Sequence, residues 1–142
     1  MRFCTAAFLM SAVTVLGGLS AQTTTSIRHV PLTPTSAASG KEMFENYCAA
    51  CHGINGTGNG PASPALKTPP ANLTQLAAKG GGKFPDERVF GILSGTVEVT
   101  AHGSSDMPMW GNLLKNLTHG DLKTANLRAK NLTDYIKSIQ VK

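Results

Sequence analysis

The sequence predicts an all-α protein, a small helical domain with long irregular loops. Three observations lead there. Apolar residues recur at steps of three and four over residues 39–53, 85–95 and 121–140, the spacing of one helical face. Fifteen glycines and eight prolines punctuate a chain of 142 residues, which forces much of it into loops. Strand-like alternation is confined to Val97 to Thr100, a stretch too short to demand a strand. The length suits one domain with a modest core. Aromatic residues make up only 6%, and a loop-rich domain with so few large core residues often needs a disulfide, a metal or a cofactor.

The first segment stands apart from that domain. Met1-Arg2 is followed by the uncharged run FCTAAFLMSAVTVLGGLSA and then by the polar QTTTS. A positive start, an apolar stretch and small residues at Gly17, Gly18, Ser20 and Ala21 are the layout of a secretory signal peptide over residues 1–21. The alternative is an uncleaved membrane anchor, but Thr, Ser and Gly interrupt the run and its length is marginal for a span. Cys4 lies within the leader rather than at its end, which fits a lipoprotein poorly. Cleavage lowers the net charge from +5 to +4, since Arg2 is the only charge lost, and leaves Cys48 and Cys51 as the remaining cysteines. That charge is scattered and contains no basic run, so nucleic-acid binding is not expected. Nothing after the leader is apolar enough for stable membrane insertion. Residues 22–36, QTTTSIRHVPLTPTS, are polar with two prolines and read as a linker to a domain over 37–142.

The domain opens on SGKEMFENYCAACHG. Ser39 followed by Glu42 is a capping box, a helix-start signal. Phe44, Tyr47, Cys48 and Cys51 fall at i, i+3, i+4 and i+7, and Gly53 suits the stop. Both thiols therefore project from one face of the last helical turns, with His52 on the adjoining side. A bridge between Cys48 and Cys51 would close almost no loop, so it would add little stability. A catalytic dithiol is a second option, but such motifs prefer a strand-to-helix junction. Zinc needs about four ligands, and His29, His102 and His119 are solitary. Two thiols on one face can reach the two vinyl groups on one edge of a haem, and the next imidazole can turn onto the iron. CxxCH is read accordingly as covalent c-type haem attachment through Cys48 and Cys51, with His52 as an axial ligand.

A low-spin electron carrier wants a second strong-field ligand, often a methionine thioether. Met43, Met107 and Met109 are available after the leader. Met43 belongs to the attachment helix and reads as packing. The other two lie in HGSSDMPMWG, a loop by composition, where Pro108 fixes the backbone next to Met107. Met107 is preferred to Met109, and the alternative is that both fill the core. Trp110 shields a cofactor edge or packs on the loop.

Taken together, GKEMFENYCAACHG, PPANL, MPMWG and LTDYIKSI resemble the class I cytochrome c family over residues 37–142. The resemblance implies three to five helices wrapped around one covalently bound haem c. It implies crossed N- and C-terminal helices, with Gly40, Phe44 and Tyr135 at the contact. It implies a proline carbonyl, from Pro70 or Pro69, that orients His52, and it puts the sixth ligand on Met107. There is no second CxxCH, so multihaem relatives do not fit.

The remaining segments agree. GINGTGNGPASPALKTPP is an irregular loop that would wrap the histidine side of the haem. KFPDERVFGILSGT starts a helix near Pro85, with Asp86 and Glu87 suited to the dipole and Gly95 as its end. Leu122, Ala125, Ala129, Leu132, Ile136 and Ile139 mark an amphipathic helix from about Asp121 to Gln140. Four N-x-S/T triplets, at Asn55, Asn72, Asn116 and Asn131, read as caps and turns in a bacterial protein rather than glycosylation acceptors.

With both axial positions filled, iron has no site for substrate and can only exchange an electron. The expectation is an exported or periplasmic electron carrier, not an enzyme, that meets redox partner proteins through an exposed haem edge. The same motifs suit a haem-c subunit of a larger dehydrogenase or oxidase. A CxxC thiol-disulfide oxidoreductase and a haem enzyme or gas sensor are the readings from other classes.

Overall fold

A computed structural model describes residues 33–97 and 110–141. The leader, most of the linker, the end of the short alternating run and both loop methionines, Met107 and Met109, lie outside the described residues.

Helix α1 spans Gly40–Tyr47 and starts as its capping residue dictates, with Ser39 Oγ accepting from the Glu42 amide at 3.1 Å. The box is not reciprocal: the Glu42 carboxylate accepts from the Ser36 amide at 3.3 Å, while the Ser39 amide donates to the Ser36 carbonyl. The single helix expected through His52 is interrupted. Cys48 turns to φ −110°, and Ala49–His52 form a separate turn, α2. Loop residues follow, with 3-10 turns at Ser63–Ala65 and Leu73–Gln75, and a second single turn, α3, at Leu76–Lys79. Helix α4 is Asp86–Ser94, preceded by Pro85 and ended by Gly95 at φ +79°. Helix α5, Trp110–Leu117, was not anticipated. Helix α6, Leu122–Ser138, is capped by Asp121, whose two carboxylate oxygens take the Lys123 amide and the Thr124 hydroxyl. The described residues are thus all-α, with four helices of at least two turns and two single turns.

Helix α6 is the element on which the others meet, touching α1, α4 and α5. It crosses α1 at Gly40, where a Cβ would run into the Asn131 carbonyl and lie 2.9 Å from Tyr135 Cβ. One turn further the Phe44 and Tyr135 rings meet with centroids 5.2 Å apart. Met43, Phe44, Leu114 and Leu132 are the largest fully buried side chains. Each such side chain removed from water contributes roughly 1.5–3 kcal/mol. Met43 is therefore packing, as expected. Ala125, Ala129, Leu132 and Ile136 form the buried face of α6, whereas Leu122 is exposed.

Both ends of this segment are fastened to its body. Gln140 accepts from the Ala77 amide and donates to the Leu73 and Ile136 carbonyls, and the Val141 amide donates to the Thr74 carbonyl. At the other end Thr35 is buried and bonded to Tyr47 and Arg128. Residues 33–36 thus join the folded unit rather than the linker expected there.

Lys137 joins α6 to the start of α4. Its ammonium donates to Asp86 at 2.7 Å and lies 6.0 Å from the Phe84 ring centre. The hydrogen bond from Lys137 holds the Asp86 carboxyl below its ordinary range, against a smaller opposing effect of desolvation. Because the folded value is the lower one, the pair's stabilisation is complete above the unfolded carboxylate pKa and fades as pH falls through the folded value. Asp86→Asn is expected to flatten the acid limb of the stability curve below about pH 4 and to leave its slope near neutrality unchanged. Urea midpoints measured from pH 2 to 7 check this.

Candidate functional site

The site grows from the break at Cys48. The Cys48 amide still closes α1 on the Phe44 carbonyl at 2.9 Å, and the Cys48 carbonyl opens the next turn by accepting from the Cys51 and His52 amides. Cys48, Cys51 and His52 therefore share a single turn of backbone. The two cysteines are not bonded to each other; Cys48 is buried and Cys51 half-buried. Burial, and secondarily the neighbouring Cys51, push the Cys48 thiol up to about 12. A thiol so reluctant to ionise is a poor nucleophile, which counts against a thiol-disulfide centre.

The irregular loop after Gly53 is ordered by that turn. Amides of Gly58, Gly60 and Ala62 donate in succession to the carbonyls of His52, Cys51 and Ala50 at 2.7, 3.0 and 2.9 Å. These are the carbonyls that a helix end leaves without partners. The approach is close enough to demand glycine: a Cβ at Gly60 would meet the Ala50 and Ala49 carbonyl oxygens. The loop then returns past its own backbone, the Leu73 amide donating to the Gly56 carbonyl at 2.7 Å.

That return path delivers a hydrogen-bond acceptor to the histidine. His52 is buried, at 8% exposure, and its Nδ1 lies 2.9 Å from the Ala71 carbonyl oxygen. A carbonyl can only accept, so Nδ1 carries the proton and Nε2 is the nitrogen with a lone pair. The acceptor belongs to Ala71, one residue beyond the Pro69-Pro70 pair whose carbonyl the resemblance favoured. Any residue can supply a carbonyl, so a proline in the sequence does not identify which one is used.

Trp110, at the start of α5, stacks on Tyr47 with ring centres 5.9 Å apart and planes 30° from parallel. Tyr47 is the residue before Cys48, so this aromatic pair walls the attachment turn. Met107 precedes that tryptophan by three residues, outside the described residues.

The fit to a covalently held haem rests on the donor set. Two thiols stand in one turn, unpaired with each other, and an imidazole next to them has its tautomer set for coordination through Nε2. A buried first cysteine and a buried histidine place the group in a water-poor setting.

Fold and site define a small helical protein in which one turn of chain brings together two thiols and an imidazole, a donor set that could hold a porphyrin. The family model for Cytochrome c matches residues 37–140, and the chain belongs to that family. Membership implies covalent haem c and a role in carrying electrons. Searches among curated proteins and among solved structures give no match. No helix among the described residues is long and apolar enough to cross a membrane.

Proposed function

We propose that this protein is a single-haem c-type cytochrome that passes one electron at a time between redox partner proteins outside the cytoplasm. The observation that carries the reading is the His52 Nδ1 contact with the Ala71 carbonyl, beside two cysteines on the same turn. Haem c, when bound, supplies an Fe(III)/Fe(II) couple. Cys48 and Cys51 would hold the group through thioether bonds, and His52 would ligate its iron through Nε2. Met107 would supply the second ligand to the iron through its sulfur, a reading supported by the Met-Pro pair and the family resemblance. Thioether ligation and an apolar setting favour the ferrous state. Export follows from the leader-like residues 1–21.

The role of the chain's own residues is to keep this setting the same in both oxidation states. The carbonyl of Ala71 locks the His52 ring, the loop amides lock the turn beneath it, and Tyr47 and Trp110 exclude water from one side. Electron exchange then needs little reorganisation of protein.

The mass of the exported chain tests cleavage and covalent attachment together: it should equal the chain without residues 1–21 plus one haem. Met107→Ala is expected to lose the methionine-ligated spectrum completely and to bind carbon monoxide when reduced, while Met109→Ala keeps the wild-type spectrum. The reverse pattern would move the ligand to Met109. An unmodified, colourless protein with two titratable thiols would defeat the proposal.

A further inference from the structure

Arg128 is a buried cation that the site as described does not use. It lies on α6 with 8% exposure. Its Nη1 donates to Thr35 Oγ1 at 3.1 Å and its Nη2 to the Thr35 carbonyl at 2.7 Å. Its Nε is buried with no hydrogen-bond partner. Three ion pairs join the described residues, Lys41–Glu45, Lys130–Asp134 and Lys137–Asp86, and none includes Arg128. A guanidinium removed from water without a carboxylate is costly. Neutral dipoles alone meet it among the described residues, so no counter-charge offsets it there.

A chain of hydrogen bonds also links this charge to the attachment turn. Thr35 Oγ1, which takes the Arg128 hydrogen bond, is 2.9 Å from the Tyr47 hydroxyl. Tyr47 directly precedes Cys48 and stacks on Trp110. Arg128 is thus two hydrogen bonds from the ring that walls the attachment turn.

We propose that Arg128 is a potential-setting residue: its buried, carboxylate-free charge raises the midpoint potential of the haem iron. The inference rests on the reading of Cys48, Cys51 and His52 as the haem site. Fe(III) carries one more positive charge than Fe(II), so a fixed cation nearby disfavours the oxidised form. The interaction is weakly screened because the cation is buried. At an effective dielectric of about 20, a single charge about 12 Å from the iron would shift the Fe(II)/Fe(III) equilibrium on the order of tenfold.

The test is spectroelectrochemical titration of the haem-loaded protein. Arg128→Met should lower the Fe(II)/Fe(III) equilibrium constant about tenfold, which is about 59 mV for a one-electron couple. Arg128→Lys keeps a charge and should recover most of the loss. Thr35→Asp places a carboxylate against the same guanidinium and should lower the potential without removing the arginine, so the idea stays testable if Arg128→Met fails to fold. Lys130→Gln removes an exposed cation and should shift the potential less, with the shift vanishing in high salt while that of Arg128→Met persists. A red protein whose Arg128 and Thr35 variants share the wild-type potential overturns this inference alone. A protein without covalent haem overturns the site reading on which it rests.

Discussion

Gly40→Ala is expected to lower the stability of the folded protein by about 3 kcal/mol, and Gly40→Val to prevent folding. Two effects oppose each other at this position. Alanine favours a helix over glycine by roughly 0.5–1 kcal/mol. Against that, the new Cβ would occupy the place of the Asn131 carbonyl and crowd Tyr135 Cβ. Both obstacles belong to α6, the 17-residue helix on which α1, α4 and α5 converge. The obstruction is backbone rather than the end of a flexible side chain, so relief requires moving one helix away from the other. That movement would separate Phe44 from Tyr135, whose rings touch one turn on. Overpacking of a core costs about 1–3 kcal/mol when side chains can yield, and here they cannot. Urea unfolding followed by far-UV circular dichroism gives the value. A loss below 1 kcal/mol for the alanine variant would show that the crossing is not held at this distance.

Cys48→Ala combined with Cys51→Ala is expected to remove the covalent link entirely. Colour would no longer follow the polypeptide through denaturing electrophoresis, and the mass would fall to that of the bare chain. The single variants separate the two sulfurs. Cys51 is half-buried and Cys48 buried next to the α1 core. Cys48→Ala therefore perturbs packing as well as attachment, and its product should unfold at lower urea than that of Cys51→Ala. Wild-type colour retention after denaturation of the double variant would mean that the thiols do not hold the group.

How much of this architecture can be read from the residues depends on how local each cause is. The cap Ser39, the stop at Gly95 and the long face of α6 are short-range signals, and they appear where expected. The crossing at Gly40 was implied by family resemblance and is present. Helix α5 was missed although Trp110, Leu113, Leu114 and Leu117 carry the i, i+3, i+4, i+7 spacing. The turn-forming residues just before it drew that segment into the loop. The break at Cys48 left no signal, because alanine and cysteine tolerate either backbone. Ala71 as the partner of His52 is a matter of main-chain path across 19 residues, which side-chain identity does not encode. The tie between Thr35 and Arg128 spans 93 residues, and a polar segment read alone looks like a linker.

The pairing of alternate amides, Gly58, Gly60 and Ala62, with three consecutive carbonyls has a consequence for engineering the protein. Glycine-rich surface segments are ordinarily where added residues are best tolerated. Here a single inserted residue would shift every later amide out of step with its acceptor and displace the strand of chain that steadies the imidazole. The permissive place for a graft or affinity handle is instead the exposed tip at Gly81 and Gly82, with both glycines kept for their positive φ, since no atom lies within 4 Å of where their Cβ would be.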